Sequence, residues 1–163
     1  MDVREVQKND AEALIHLIKA VEDHSRYMLL EPGERKVSID QQRNMIRQLD
    51  DHSTILVAEK EQDLLRNLMV FGGKAKRNKH SAYIVIGIHS NHRGLGIGRL
   101  LFKEMEDWAR DRDIHRLELT VVKENIASVS LYKKMGFEIE GTKRNSLLIN
   151  GRYVDAYYMS RLI

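Results

Sequence analysis

The sequence predicts a single α/β domain, residues 1–163, with a mixed and mostly antiparallel central sheet of six to seven strands and helices on both faces. Two observations favour this class. Strand-type and helix-type hydrophobic spacings alternate along the whole chain, in the order β-α-α-β-β-β-α-β-α-β-β. The chain has one proline, Pro32, and neither internal repeats nor low-complexity segments, so the sequence offers no candidate linker between two domains.

Regular spacing of apolar residues predicts four strands and two helices in the first half of the chain. The strands are Val3–Gln7, Thr54–Lys60, Leu64–Phe71 and Ala82–His89. Each helix opens with a capping box, formed by Asn9 with Glu12 and by Ser38 with Gln41. The residues expected to face inward are Leu14, Leu17, Ile18 and Val21 in the first helix and Met45, Ile46 and Leu49 in the second.

The second half of the chain predicts two more helices among further strands. The first helix follows a glycine-rich turn, and its apolar face is Ile97, Leu101, Met105 and Trp108. Leu117–Val122 is predicted as a strand, after which Asn125 can cap a helix that Gly136 ends. The remaining residues, Phe137–Ile163, alternate as strands around the hairpin signal Asn150-Gly151.

Composition excludes several kinds of protein. A chain without cysteine can form neither disulfides nor a thiolate metal site nor a cysteine nucleophile, and this suits the cytoplasm. The N-terminal sequence MDVREVQKNDAE is charged where a signal peptide is apolar. The longest apolar stretch, near Tyr83–Ile88, is far shorter than the roughly 18 residues that a membrane span needs. We therefore expect a cytoplasmic protein with no membrane partner, and the net charge of +3 gives no argument for a nucleic-acid partner.

A glycine-rich turn, Arg93–Arg99, lies between a predicted buried strand and a predicted amphipathic helix. The glycines Gly94, Gly96 and Gly98 would let a ligand approach the backbone, where the first N–H groups of the helix can bind a pyrophosphate. A tight turn without a ligand is the alternative. The string is not a Walker P-loop, and Arg99 stands where a dinucleotide fingerprint needs glycine or alanine.

Two motifs resemble those of one enzyme family. The spacing Arg93-x-x-Gly96-x-Gly98 resembles Q/R-x-x-G-x-G/A, the coenzyme A signature of the GNAT acetyltransferases. Further along, VKENIASVSLYKKMGF resembles the second hallmark of that family, with Asn125, Ser128, Leu131, Tyr132, Gly136 and Phe137 in register. The resemblance covers most of the chain. It implies an N-acetyltransferase that moves an acetyl group from acetyl-CoA to a primary amine.

The resemblance also implies roles for single residues. The pyrophosphate would be bound, mainly by backbone N–H groups, at Arg93, Gly94, Leu95, Gly96, Gly98 and Arg99. Ile86 and Ile88 would pair with the pantetheine arm as an added strand, and Asn125 would hydrogen-bond the coenzyme near its thiol. Tyr132 would be the general acid for the departing thiolate. A core aromatic is the alternative for Tyr132, a plain N-cap is the alternative for Asn125, and no metal is implied.

The resemblance leaves the general base and the acceptor open. Some members place a glutamate base where this chain has Thr120, which cannot serve as one; Glu118, His80 or a backbone-held water are the alternatives. Glu31 and Glu34 could attract an ammonium group, or they could be ordinary loop carboxylates. A small amine, an amino acid, an antibiotic and a protein N-terminus all stay open as acceptors, and a homodimer stays open as the assembly.

Two rival functions complete the set of hypotheses. A protein with this fold could bind acyl-CoA as a sensor without turnover. A nucleic-acid binder could use the basic loop residues Lys74, Lys76, Arg77 and Lys79. Because no aromatic side chains are interleaved with these cations, a solvated loop is the simpler interpretation.

Overall fold

The computed structural model describes residues 1–87 and 96–163, and this part of the chain contains seven strands and four α-helices. The strands are β1 (Asp2–Glu5), β2 (Ser53–Lys60), β3 (Asp63–Gly72), β4 (Ser81–Gly87), β5 (Arg116–Val122), β6 (Glu138–Ile149) and β7 (Arg152–Leu162). The helices are α1 (Ala11–His24), α2 (Ile39–Arg47), α3 (Ile97–Arg110) and α4 (Ile126–Lys134). Their order is the one that the hydrophobic spacing predicts.

All seven strands belong to one sheet, in the order β1-β2-β3-β4-β5-β7-β6. The pair β4–β5 is parallel, and the other neighbouring strands are antiparallel. The predicted fold class, a mixed and mostly antiparallel sheet with helices on both faces, is therefore confirmed. None of the helices in the described ranges is long and apolar enough to cross a membrane.

The sheet has an apolar core on each face because its central strands carry apolar residues on both sides. In β2, Leu56 and Ala58 pack with α3 and α4, whereas Ile55 and Val57 pack with α1 and α2. The predicted inward face of α3 is buried in the first core: Ile97, Leu101, Met105 and Trp108. The two cores fix which side of the sheet each helix occupies.

The two parallel strands separate along their length. β4 pairs with β5 only at Ser81–Tyr83, opposite Arg116–Glu118. Beyond that point, within the described residues, each strand keeps only its outer partner: β4 pairs with β3 as far as Gly87, and β5 pairs with β7 as far as Val122. The carboxyl ends of β4 and β5 therefore border a wedge-shaped opening in the middle of the sheet.

The first helix begins differently from the prediction. A single 3₁₀ turn, Lys8–Asp10, precedes α1, and the Asp10 carboxylate accepts a hydrogen bond from the backbone N–H of Gln7 at 2.7 Å. The prediction that Asn9 and Glu12 form a capping box was wrong. The N-cap of α1 is Asp10, one residue later than predicted, and an ion pair with Arg4 at 2.7 Å holds Asp10 in place. The predicted capping box of Ser38 with Gln41 at the start of α2 is confirmed.

The second helix presents a different face from the expected one. α2 buries Gln42 and Ile46, whereas the Met45 side chain is 53% exposed. The prediction that Met45 faces inward was wrong. Residues four apart share a helix face, and Met45 is rotated by about 100° from Ile46. Because one of the two buried residues, Gln42, is polar, the spacing of apolar residues does not reveal this face.

Candidate active site

The helix α3 begins beside the wide end of the opening. Residues 88–95 connect the end of β4 to Gly96, which has φ +71° and is the N-cap of α3. The left-handed conformation suits glycine, and the first N–H groups of the helix have no partner within the helix. With the helix dipole, they favour an anionic ligand at this edge.

A buried arginine lies next to this helix N-terminus. Arg66 in β3 is 4% exposed, and a Cβ placed on Gly98 would lie 3.2 Å from its Nη1 atom. The same Cβ would lie 3.6 Å from Leu131 in α4, so Gly98 is where α3 and α4 approach each other closely. The positive charge of Arg66 adds to the potential that attracts an anion. Sequence reasoning missed Arg66, although a charged residue inside an apolar strand is a signal for it.

The helix α4 begins at the other edge of the opening. Asn125 follows the end of β5, where its N–H donates to the carbonyl of Val122 at 2.9 Å. Its side-chain oxygen accepts a hydrogen bond from the N–H of Ser128 at 3.3 Å, so Asn125 is an N-cap. This does not preclude contact with a ligand, because the side chain is only half-buried and its amide N–H groups remain available.

Tyr132 lies two turns along α4 in the core that also contains Ile86. Its ring makes an edge-to-face contact with Phe102, with 6.0 Å between the centroids, and packs against Phe137 at 6.1 Å. Only 6% of the residue is exposed. Burial raises the pKa of Tyr132 well above the usual tyrosine value of 10, with a smaller electrostatic contribution from Tyr83. The phenol is therefore protonated at any working pH and can donate a hydrogen bond.

The candidates for a general base lie in three different settings. Thr120 is at the closed end of the opening, where its Oγ1 lies 2.6 Å from the hydroxyl of Tyr83. Glu118 forms an ion pair with Arg116 at 3.0 Å. His80 is exposed and precedes β4, so it lies at the end of that strand opposite the opening. Of these candidates, Thr120 and Glu118 lie on the same sheet face where β4 and β5 part. A hydroxyl is not a base at neutral pH, and the Glu118 carboxylate is held by Arg116.

Glu31 and Glu34 lie in the loop between α1 and α2, and both side chains are exposed. The carboxylate of Glu34 accepts a hydrogen bond from the N–H of Glu31 at 2.8 Å. The same loop is anchored by Arg35, which forms an ion pair with Glu22 of α1. Glu22 is 2% exposed and was missed, although it follows Ile18 by four residues on the apolar face and so interrupts that face with a charge.

Several of the predicted residues lie on the elements that border the opening. They are Ile86 at the end of β4, Gly96, Gly98 and Arg99 at the start of α3, and Asn125 and Tyr132 in α4. Ile88, Arg93, Gly94 and Leu95 lie outside the described residues. In ranges 1–87 and 96–163, no group of three or more histidine, aspartate or glutamate side chains could hold a metal ion.

This arrangement fits acetyl-CoA as a ligand. The inner edge of β4 from Ile84 to Gly87 has no strand partner in the described sheet, so its backbone groups are available to an amide-containing chain. The N-terminus of α3 and the charge of Arg66 suit a pyrophosphate. The free backbone groups of β4 and the anion-binding start of α3 lie at the same edge of the sheet. A ligand with a phosphate end and an extended amide arm requires this arrangement.

Comparison with known proteins identifies the family. The model of the acetyltransferase (GNAT) family matches residues 16–137. L-amino acid N-acetyltransferase AaaT from Escherichia coli K12 is 39% identical over 111 residues, which cover 66% of this chain and 67% of that protein.

Two solved structures extend the similarity to the whole chain. An acetyltransferase of the GNAT family from Streptococcus pneumoniae has a TM-score of 0.91 and 27% identity, covering 99% of this chain and 98% of that one. The structure of yncA from Salmonella typhimurium with its cofactor acetyl-CoA has a TM-score of 0.86 and covers 99% and 93% of the two chains; its 22% identity shows the fold alone. The chain therefore belongs to the acetyltransferase (GNAT) family, whose members use acetyl-CoA, and it is an acyltransferase.

Proposed function

We propose that this acyltransferase acetylates the α-amine of an L-amino acid, with acetyl-CoA as the acetyl donor. The opening between β4 and β5, with α3 and α4 beginning at its two edges, is the observation that supports transfer at this place. The choice of an amino acid as acceptor is supported by the 39% identity to AaaT, which is named an L-amino acid N-acetyltransferase.

The donor would bind along the inner edge of β4 and at the start of α3. Ile86 and Ile88 would offer backbone hydrogen bonds to the amide-containing arm, as in strand addition. The pyrophosphate would be held by backbone N–H groups of the turn and helix start: Arg93, Gly94, Leu95, Gly96, Gly98 and Arg99. Arg66 would support this site through its charge, and Asn125 would contact the arm from the start of α4.

In the reaction the acceptor nitrogen forms a bond to the acetyl carbonyl carbon, and the carbon–sulfur bond breaks. Counted from the ammonium form, the nitrogen loses two protons, the sulfur gains one, and one proton is released to water. We assign to Tyr132 the role of general acid: its raised pKa keeps the phenol protonated, so it can donate its proton to the departing sulfur and regain one from water. An α-amine is mostly protonated at neutral pH, so water must remove one proton before attack, and a second proton leaves the nitrogen as the amide forms.

The acceptor would approach from the face that carries α1 and α2. Glu31 and Glu34 lie in the loop between these helices, and we propose that their negative charges attract the ammonium group. The ion pair between Arg35 and Glu22 anchors this loop to α1.

Release of free thiol from acetyl-CoA, with the twenty L-amino acids, spermidine and a peptide N-terminus as acceptors, tests the proposal. We expect thiol release with at least one amino acid. The Tyr132→Phe variant should lose about 10²-fold in kcat, with an unchanged dissociation constant for acetyl-CoA, because the ring and its packing are kept.

The other outcomes identify the rivals. Binding of acetyl-CoA without thiol release from any acceptor would indicate a sensor. Tight DNA binding that weakens steeply with salt, without binding of acetyl-CoA, would indicate a nucleic-acid protein. Wild-type kcat in Tyr132→Phe would leave this tyrosine as a packing residue only.

A further inference from the structure

A pair of hydroxyl groups bridges β4 and β5 where the two strands part. The last paired residues are Tyr83 and Glu118. Two residues further along β5, Thr120 places its Oγ1 atom 2.6 Å from the Tyr83 hydroxyl, and either oxygen can be the donor. The two side chains come from positions 37 residues apart in the sequence. The pair therefore forms the closed end of the opening.

The pair lies on the sheet face opposite to α3 and α4. Side chains alternate along a strand, and Leu119 and Val121 point into the core beneath those helices. Thr120 must therefore point the other way. Tyr83 likewise alternates with Ala82 and Ile84 of that core and is 37% exposed. The hydroxyl pair is accessible from the side where the acceptor would enter.

The hydrogen-bonding capacity of the pair suits an amine. Within the pair one hydroxyl donates to the other, so each oxygen keeps at least one lone pair. Those lone pairs can accept hydrogen bonds from the N–H groups of a neutral amine or of an ammonium group. An amine bound in this way is held at the point where β4 and β5 part.

We propose that Tyr83 and Thr120 bind the nitrogen of the acceptor and orient it for attack. This inference rests on the proposed function, since it concerns the acceptor of the same reaction. Neither hydroxyl removes the proton; both accept hydrogen bonds, and the proton passes to water. A purely structural role is the alternative, in which the hydrogen bond only clamps β4 to β5.

Four variants separate binding from clamping. Tyr83→Phe and Thr120→Val each remove one hydroxyl and keep the shape, whereas Thr120→Ser keeps the hydroxyl. Thr142→Val is the matched control, because Thr142 is exposed in the edge strand β6, away from the opening. The acceptor in each assay is the L-amino acid with which the wild-type enzyme releases thiol fastest.

We expect Tyr83→Phe and Thr120→Val to raise the acceptor KM about tenfold, equivalent to about 1.4 kcal/mol, while the acetyl-CoA dissociation constant changes less than about twofold. The double variant should be little worse than either single variant, since the two hydroxyls act as a unit. Thr120→Ser and Thr142→Val should resemble the wild type. Calorimetric binding of the same amino acid to enzyme saturated with coenzyme A should weaken in parallel, without any turnover.

The clamp alternative gives a different pattern. In that case Tyr83→Phe and Thr120→Val lower the melting temperature and weaken acetyl-CoA binding. The acceptor KM and the calorimetric affinity for the amino acid stay at the wild-type values. This pattern overturns the proposal. A wild-type enzyme that releases no thiol with any acceptor would instead contradict the proposed function, and the assignment of these hydroxyls would fail with it.

Discussion

Replacing Gly96 tests whether the start of α3 binds the acetyl donor. Gly96 has φ +71°, and a Cβ added there would meet no atom of the described residues within 4 Å. Alanine in the left-handed region costs about 1 to 2 kcal/mol. Gly96→Ala should therefore lower the melting temperature by about 2 to 4 °C for each kcal/mol lost. Its methyl group would also occupy open space next to the turn that the proposal gives to the pyrophosphate, so we expect the dissociation constant for acetyl-CoA to rise at least tenfold.

Two further variants separate backbone strain from obstruction of the ligand. Gly151→Ala imposes comparable strain at φ +76°, also without a contact in the described structure, but at the β6–β7 hairpin; it should lose stability and keep its acetyl-CoA affinity. Gly96→Asn should keep most of the stability, because asparagine tolerates the left-handed region, and should still bind acetyl-CoA weakly. Thermal unfolding and titration calorimetry measure both quantities. Wild-type affinity in Gly96→Asn would refute donor binding at this turn.

Two more expectations concern Tyr132 and the α1–α2 loop. Because the pKa of Tyr132 is raised on folding, its contribution to stability is complete below the unfolded value of about 10 and is lost as the pH rises toward the folded pKa. Between pH 9 and 11 the melting temperature of Tyr132→Phe should therefore fall less than that of the wild type, and equal slopes would contradict the burial argument. The double variant Glu31→Gln/Glu34→Gln should raise the acceptor KM by about threefold or more through loss of charge attraction, with the acetyl-CoA KM unchanged; steady-state kinetics indistinguishable from wild type would place the acceptor elsewhere.

The sequence predicts features that depend on local chemistry. The Asn150-Gly151 signal corresponds to a two-residue connection between β6 and β7, with φ of +50° and +76° at the two positions. Ser38 and Gln41 form the expected capping box, with hydrogen bonds of 3.1 and 2.9 Å. In each case the side chains that determine the conformation are neighbours in the sequence, so their spacing is sufficient evidence.

Features that depend on long-range register were not predictable in the same way. The contact between Tyr83 and Thr120 requires the parallel alignment of two strands that are separated by a whole helix. The burial of Arg66 and Glu22 depends on which element covers them, and a single sequence does not specify that. A charge on an apolar face signals an unusual position, but its partner becomes visible only in the folded chain.

The position of the opening follows from how the strands are connected. Antiparallel neighbours such as β6 and β7 are joined by a short hairpin, which holds adjacent strand ends together. Parallel neighbours need a crossover, and here β4 and β5 are joined through α3, so no turn ties their carboxyl ends to each other. Each end instead leads to its own helix, α3 after β4 and α4 after β5. The one parallel pair among the described strands is thus where neighbouring strands can part, and both flanking helices begin there.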